Sequence, residues 1–175
     1  SSGQVLTVAS GIPSWAAASS GAMTLVKRST FSNVANTGTT FDGVFTSTYG
    51  SYLVVIENLD ANTLSNDPQL QLRSGGTTKT NNYYSANISY ASDGTSPSSL
   101  TTSSGTLWTL SPNALIAGFL FFNGANVSGH TIDSMGPSFN IIQGFVDSYG
   151  PDGFLLKSSS SNINGTVAVY GLAKS

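Results

Sequence analysis

Cysteine is absent, histidine occurs once, and charge is scarce. Six Lys or Arg and eight Asp or Glu make up 8% of the 175 residues, against about 25% in an ordinary soluble domain. No cysteine means no disulfide framework, no zinc-thiolate site and no thiol nucleophile. A single histidine, His130, cannot supply a His-rich metal site. A net charge of −2 with six scattered cations cannot neutralise a run of phosphates, so no nucleic-acid partner is expected. The longest apolar run, residues 114–122, carries a glycine and falls far short of the ~20 residues that span a bilayer, so no membrane insertion is expected. Residues 1–9 show neither the basic region nor the apolar core of a secretory signal.

Small uncharged residues take the place of the missing charge. Ser (30), Thr (19), Gly (19) and Asn (14) account for 82 positions. These types compete with helix interiors and favour turns and strands. Aromatics at 10% and an apolar total of 39% are enough for a core, which sets the chain apart from disordered sequences.

Strand patterns recur at close spacing over 23–28, 40–46, 51–59, 69–73, 83–90, 106–110, 114–122, 131–134, 138–148, 153–157 and 165–172. Between them lie turn signals such as Asp42-Gly43, Ser74-Gly75-Gly76, Asn123-Gly124, Asp152-Gly153 and Asn164-Gly165. Leu70 and Leu72 alternate inward, as do Val167 and Val169, while 114–122 reads as the most buried strand. Residues 91–105 are Ser, Thr, Gly and Pro with Leu100 alone as a bulky apolar group, and read as a long loop. The expected fold is all-β: an antiparallel β-sandwich, jelly-roll-like, over 22–175. Residues 1–21 form a separate connecting and oligomerisation segment. Trp15 there has little of its own segment to pack on, so Val5, Leu6 and Trp15 are expected to contact the main domain or neighbouring copies of the chain.

Catalytic constellations are hard to find, and no enzyme activity or cofactor is expected. His130 sits in Ser128-Gly-His-Thr131, a context that reads as a surface turn. Asp42, Asp93 and Asp152 each precede glycine in turns, and no carboxylate pair stands out for glycosidase work. Asp147 and Asp152 flank a turn that lacks the repeated oxygen donors of a calcium loop. The better lead is aromatic. Tyr83, Tyr84 and Tyr90 in Asn81-Asn-Tyr-Tyr-Ser-Ala-Asn-Ile-Ser-Tyr90, with Trp108, place rings beside amides and hydroxyls, the combination that stacks on a sugar face and bonds its hydroxyls. These four are the candidate ligand-binding residues. The competing reading makes them core or inter-subunit rings.

The stretch Gly3-Gln-Val-Leu-Thr-Val-Ala-Ser-Gly-Ile-Pro-Ser-Trp-Ala16 resembles a motif widespread in tailed-bacteriophage fibre and virion appendage proteins, of the form G-Q-V-L-T-x-x-S-G-x-x-P-x-W. Gly3, Gln4, Val5, Leu6, Thr7, Ser10, Gly11, Pro13 and Trp15 match it, with one residue fewer before Pro13 than in many examples. The resemblance implies a homotrimeric fibre tip or appendage at the virion surface, joined to other virion proteins. Its N-terminal segment would pack at the trimer axis, and its β-sandwich would touch a host-surface polysaccharide. It also implies that the chain is the distal part of a longer polypeptide, with which a start at Ser1 agrees. Two alternatives stay open: a capsid head-fibre, decoration or tail adaptor protein with a purely structural role, and a cellular carbohydrate-binding module.

Overall fold

The computed structural model describes residues 4–17, 22–61, 68–90, 98–109, 115–133, 139–146 and 149–174. Among these, every regular element is a strand, and all pairs are antiparallel. In chain order they are β1 (Gln4–Ala9), β2 (Ile12–Ala17), β3 (Met23–Val34), β4 (Thr39–Phe41), β5 (Ser51–Ala61), β6 (Pro68–Ser74), β7 (Thr77–Thr78) and β8 (Tyr83–Tyr90). They continue with β9 (Ser98–Ser104), β10 (Trp108–Thr109), β11 (Ile116–Asn123), β12 (Asn126–Asp133), β13 (Phe139–Val146), β14 (Gly153–Ser158) and β15 (Ile163–Leu172).

Three sheets result. β1 and β2 form a hairpin of their own, closed by Ser10 and Gly11 with φ of 51° and 80°. Two consecutive positive-φ residues match the twist of the flanking strands, and a glycine makes the second one inexpensive. An eight-stranded sheet runs β3-β15-β5-β11-β12-β13-β8-β9, and a five-stranded sheet runs β10-β6-β14-β4 with β7 on β6. The two larger sheets pack in a sandwich-like arrangement, the architecture expected for 22–175.

Period-two alternation builds the core. Tyr52, Val54 and Ile56 of β5, Leu120 and Phe122 of β11, and Val167 and Val169 of β15 point inward from the large sheet. Leu70 and Leu72 of β6, Phe41 of β4, and Phe154 and Leu156 of β14 are buried in the same cluster. Each such side chain contributes roughly 1.5–3 kcal/mol by leaving water. Phe41 and Phe154 stack with centroids 4.5 Å apart, and Phe45 bridges from Phe154 to Tyr52. The Tyr52 hydroxyl donates to the Thr46 carbonyl at 2.6 Å and accepts from the Thr46 N–H at 2.6 Å, tying the loop after β4 to the sheet.

Several sequence expectations are corrected. Residues 98–104, expected as loop, form β9, because an edge strand needs one ladder and no apolar core residue. His130 lies inside β12, paired with Phe119 and Ile141, and not in a turn. Asn164-Gly165 is an irregular stretch within β15, where pairing to β3 shifts register between Ile163 and Gly165. β11 is buried on one face only: Leu120 and Phe122 are covered, while Phe119 and Phe121 are exposed. The expected turn aspartate Asp93, and Asp147, lie outside the described residues.

Candidate functional site

No second layer of described residues covers the outer face of β11, β12, β13 and β8. Side chains there stand in two cross-strand rows. One runs Phe121, Ser128, Gln143, Ala86, and the next runs Asn123, Asn126, Phe145, Tyr84. Together with Ser51 of β5 they line an open groove of about 720 Å³, within the ~300–1,000 Å³ range of small-ligand sites.

Three rings form its apolar surfaces: Phe121 is 41% exposed, Phe145 46% and Tyr84 37%. Phe145 and Tyr84, direct cross-strand partners, stack at 4.9 Å with an interplanar angle of 13°. Phe119 meets Phe121 edge to face at 6.0 Å and lies parallel to the His130 ring at 5.4 Å, continuing the aromatic surface past the groove. Between the rings stand the exposed amides of Asn123, Asn126 and Gln143 and the exposed hydroxyl of Ser128. The Asn126 amide nitrogen donates to the Asn123 carbonyl at 3.4 Å across the β11–β12 turn.

The inner residues under the groove explain its backbone. A Cβ on Gly129 would sit 2.2 Å from the Phe119 carbonyl oxygen, and one on Gly118 2.2 Å from that of His130. The β11–β12 pair therefore closes only with glycine at these two positions, and that closure holds Phe121 beside Ser128 and Asn123 beside Asn126.

Among the described residues, no Asp, Glu, Lys, Arg or His lines the groove. The described ion pairs lie elsewhere. Arg28 bonds Glu57 at 2.6 Å between β3 and β5. Arg73 of β6 bonds Asp42 through Nε at 2.5 Å and Nη2 at 3.2 Å, and also reaches Thr78 Oγ1 and the Gly76 carbonyl. The Arg73 hydrogen bond holds the Asp42 carboxyl below its ordinary range, and the same bond raises the Arg73 guanidinium. Asp152 accepts from the Gly75 N–H at 2.8 Å, so both turn aspartates brace neighbouring loops. Among the described residues, no cluster of three or more His, Cys, Asp or Glu lies together to hold a metal ion.

Of the four rings singled out in the sequence, two have described side chains, and Tyr84 is the one of these that reaches the groove. Tyr83 is a correction: it points to the opposite face and is fully buried. Its hydroxyl donates to the Lys79 carbonyl at 2.9 Å and accepts from the Leu72 N–H at 2.7 Å, and burial pushes its phenol strongly upward. That geometry makes it a core strut with no surface to offer a ligand. Tyr90 pairs with Phe139 at the far end of β8, and Trp108 pairs with Leu70 in the other sheet; both side chains lie outside the described residues. Phe121, Asn126, Ser128, Gln143 and Phe145 are not among the residues that the sequence singles out. Alternation within Phe119-Leu-Phe-Phe122 and Gln143-Gly-Phe145 carried the signal, masked by reading the first as wholly buried.

In the N-terminal hairpin, Leu6 pairs with Trp15, and both are exposed, at 59% and 67%. Val5 pairs with Ala16, and its side chain lies outside the described residues.

Comparison with protein-family models and with curated proteins gives no match. Among solved structures, the chain is similar to the galectin LEC-6 of Caenorhabditis elegans, at 14% identity and a TM-score of 0.42, covering 80% of this chain and 94% of the galectin. It is also similar to a fructofuranosidase of Schwanniomyces occidentalis complexed with fructosylnystose, at 9% identity and a TM-score of 0.27, covering 97% of this chain and 38% of that one. The molecule is defined as an all-β, antiparallel sandwich by its own two sheets, with an uncharged aromatic groove on the outer face of the larger one.

Proposed function

We propose that this chain is a bacteriophage virion protein, the tip domain of a tail fibre or appendage, that binds a host-surface glycan in the groove of its large sheet. One observation carries the binding half of this reading: the stacked, solvent-facing pair Phe145–Tyr84 stands beside Asn126, Ser128 and Gln143 in a groove of small-ligand size. Rings cover the C–H faces of a sugar, and amides and hydroxyls complete its hydrogen bonds. The role is binding without catalysis and needs no cofactor.

The virion half rests on the fibre-type motif and on the hairpin that it forms. An isolated two-stranded hairpin is marginal in water, and Leu6 and Trp15 offer it an apolar face. Packing three such hairpins around an axis buries that face and makes the chain a homotrimer, with Leu6 and Trp15 at the contact. Attachment to other virion proteins places the domain at the particle surface.

A second reading, a capsid head-fibre, decoration or adaptor protein with no receptor, draws on the exposed Met23 and Leu25 of β3 and on Ile132. Such apolar groups also suit contact with neighbouring virion proteins. A glycan array probed with wild-type chain and with Phe145→Ala separates the two. Binding lost in the variant supports the receptor reading; no binding by either protein supports the structural one.

A further inference from the structure

We infer that the ligand of the groove is an uncharged oligosaccharide segment, longer than one sugar ring, and that sialylated, uronate and phosphorylated glycans are excluded. This rests on the glycan-binding reading above and narrows it to a substrate class.

Among the described residues, thirteen line the groove, and none is Asp, Glu, Lys, Arg or His. An anionic sugar that enters such a site sheds part of its hydration and finds no cation in return, which disfavours it against a neutral one. Sites that accept carboxylate or phosphate groups place Arg, Lys or a cluster of backbone N–H groups against them. Five of the six Lys and Arg side chains have partners elsewhere, Lys174 on the Ser47 carbonyl at 2.5 Å. Arg28 pairs with Glu57 and Arg73 with Asp42, while Lys27 lies over the Phe41 ring and Lys79 over the Tyr149 ring. What the groove does offer is neutral: Asn126, Gln143 and Ser128 can both donate and accept, as a sugar hydroxyl does.

The length follows from strand spacing. Phe121 stands on β11 and Phe145 on β13, with β12 between them. At about 4.8 Å per strand, β11 and β13 lie roughly 10 Å apart, and the two rings are further offset along the strands, Phe121 in the row of Gln143 and Phe145 in the row of Asn126. Asn126 and Ser128 occupy the gap, so one sugar ring cannot touch both platforms and a linked pair can.

The test is an array carrying neutral hexose and N-acetylhexosamine oligosaccharides beside sialylated, uronate and phosphorylated ones. It is probed with wild type, Phe145→Ala and Gln143→Ala, from about 0.01 M to 1 M NaCl, over which the screening length falls from about 30 to 3 Å. Both substituted side chains are exposed, and each variant's melting temperature is checked against wild type. The expected result is retention of neutral oligosaccharides but not their monosaccharides, unchanged by salt and reduced about tenfold or more in both variants. Retention of an anionic glycan that falls with salt and is lost in the variants overturns the neutral-ligand inference and leaves the groove as the binding site. Binding that ignores both substitutions, or no binding of any glycan, overturns the groove reading and this inference with it.

Discussion

Tyr83 and Tyr84 are neighbours in sequence and opposites in role. Alternation along β8 sends Tyr83 into the core and Tyr84 onto the outer face. Tyr83→Phe keeps the ring and removes the hydroxyl that bridges Leu72 N–H and Lys79 C=O. It is expected to cost about 1–3 kcal/mol in urea unfolding, because a buried donor loses its partner, and to leave glycan binding unchanged. Asp42 provides a pH signature. Its carboxyl is held below the ordinary 3.8 by the Arg73 hydrogen bond. A depressed carboxylate adds stability above its unfolded value, and that stability is lost as pH falls through the folded one. Asp42→Asn is therefore expected to lower the melting temperature at neutral pH, with the gap to wild type closing as pH drops below 3.8. An equal gap at all pH values would contradict the Arg73–Asp42 account. That alternating tyrosines face opposite ways was legible in the sequence. Which face becomes core was not, because it depends on where β6 and β14 lay their Leu and Phe side chains.

At the scale of elements, the paired strands under the groove depend on Gly129 and Gly118. Gly129→Ala would place a methyl group 2.2 Å from the Phe119 carbonyl oxygen, a backbone atom of the next strand that can move only by opening the ladder. A loss of about 1–3 kcal/mol is expected, with hydrogen exchange accelerating in β11 and β12 before the rest of the large sheet. Uniform acceleration across both sheets would argue against a local effect. β8 was legible end to end, because its turn signals and aromatic content agree. β9 was not, because Ser-Ser-Leu-Thr-Thr-Ser-Ser has the composition of a loop and becomes a strand through the ladder that β8 offers. β11 was legible as a strand, yet its continuous apolar run hid the fact that every second ring faces solvent. The groove residues were concealed by the same run.

At the scale of the whole molecule, scarce charge has a structural counterpart. The ion pairs Arg28–Glu57 and Arg73–Asp42 stand away from the groove, which is left to rings, amides and hydroxyls. The all-β architecture was legible from composition and turn spacing, since few residues here favour helix interiors. The pairing order of the large sheet was not, because β8–β9 adds beyond β13 and β15 inserts between β3 and β5, connections that no local pattern records. Assembly is expected to follow the hairpin and not the sandwich. In light scattering the chain should run at three times its 18.0 kDa mass, and the paired substitution Leu6→Ser with Trp15→Ser should return it to one. A trimer unaffected by that pair would place the contact on another face.

The most direct test of the central claim is a calorimetric titration of the full chain with neutral hexose and N-acetylhexosamine oligosaccharides. It compares wild type with Phe145→Ala, in the groove, and Leu25→Ser, exposed on β3 of the same sheet. A groove site gives affinity that falls about tenfold, or ~1.4 kcal/mol, in Phe145→Ala and holds in Leu25→Ser. Equal affinity in Phe145→Ala and wild type would contradict it.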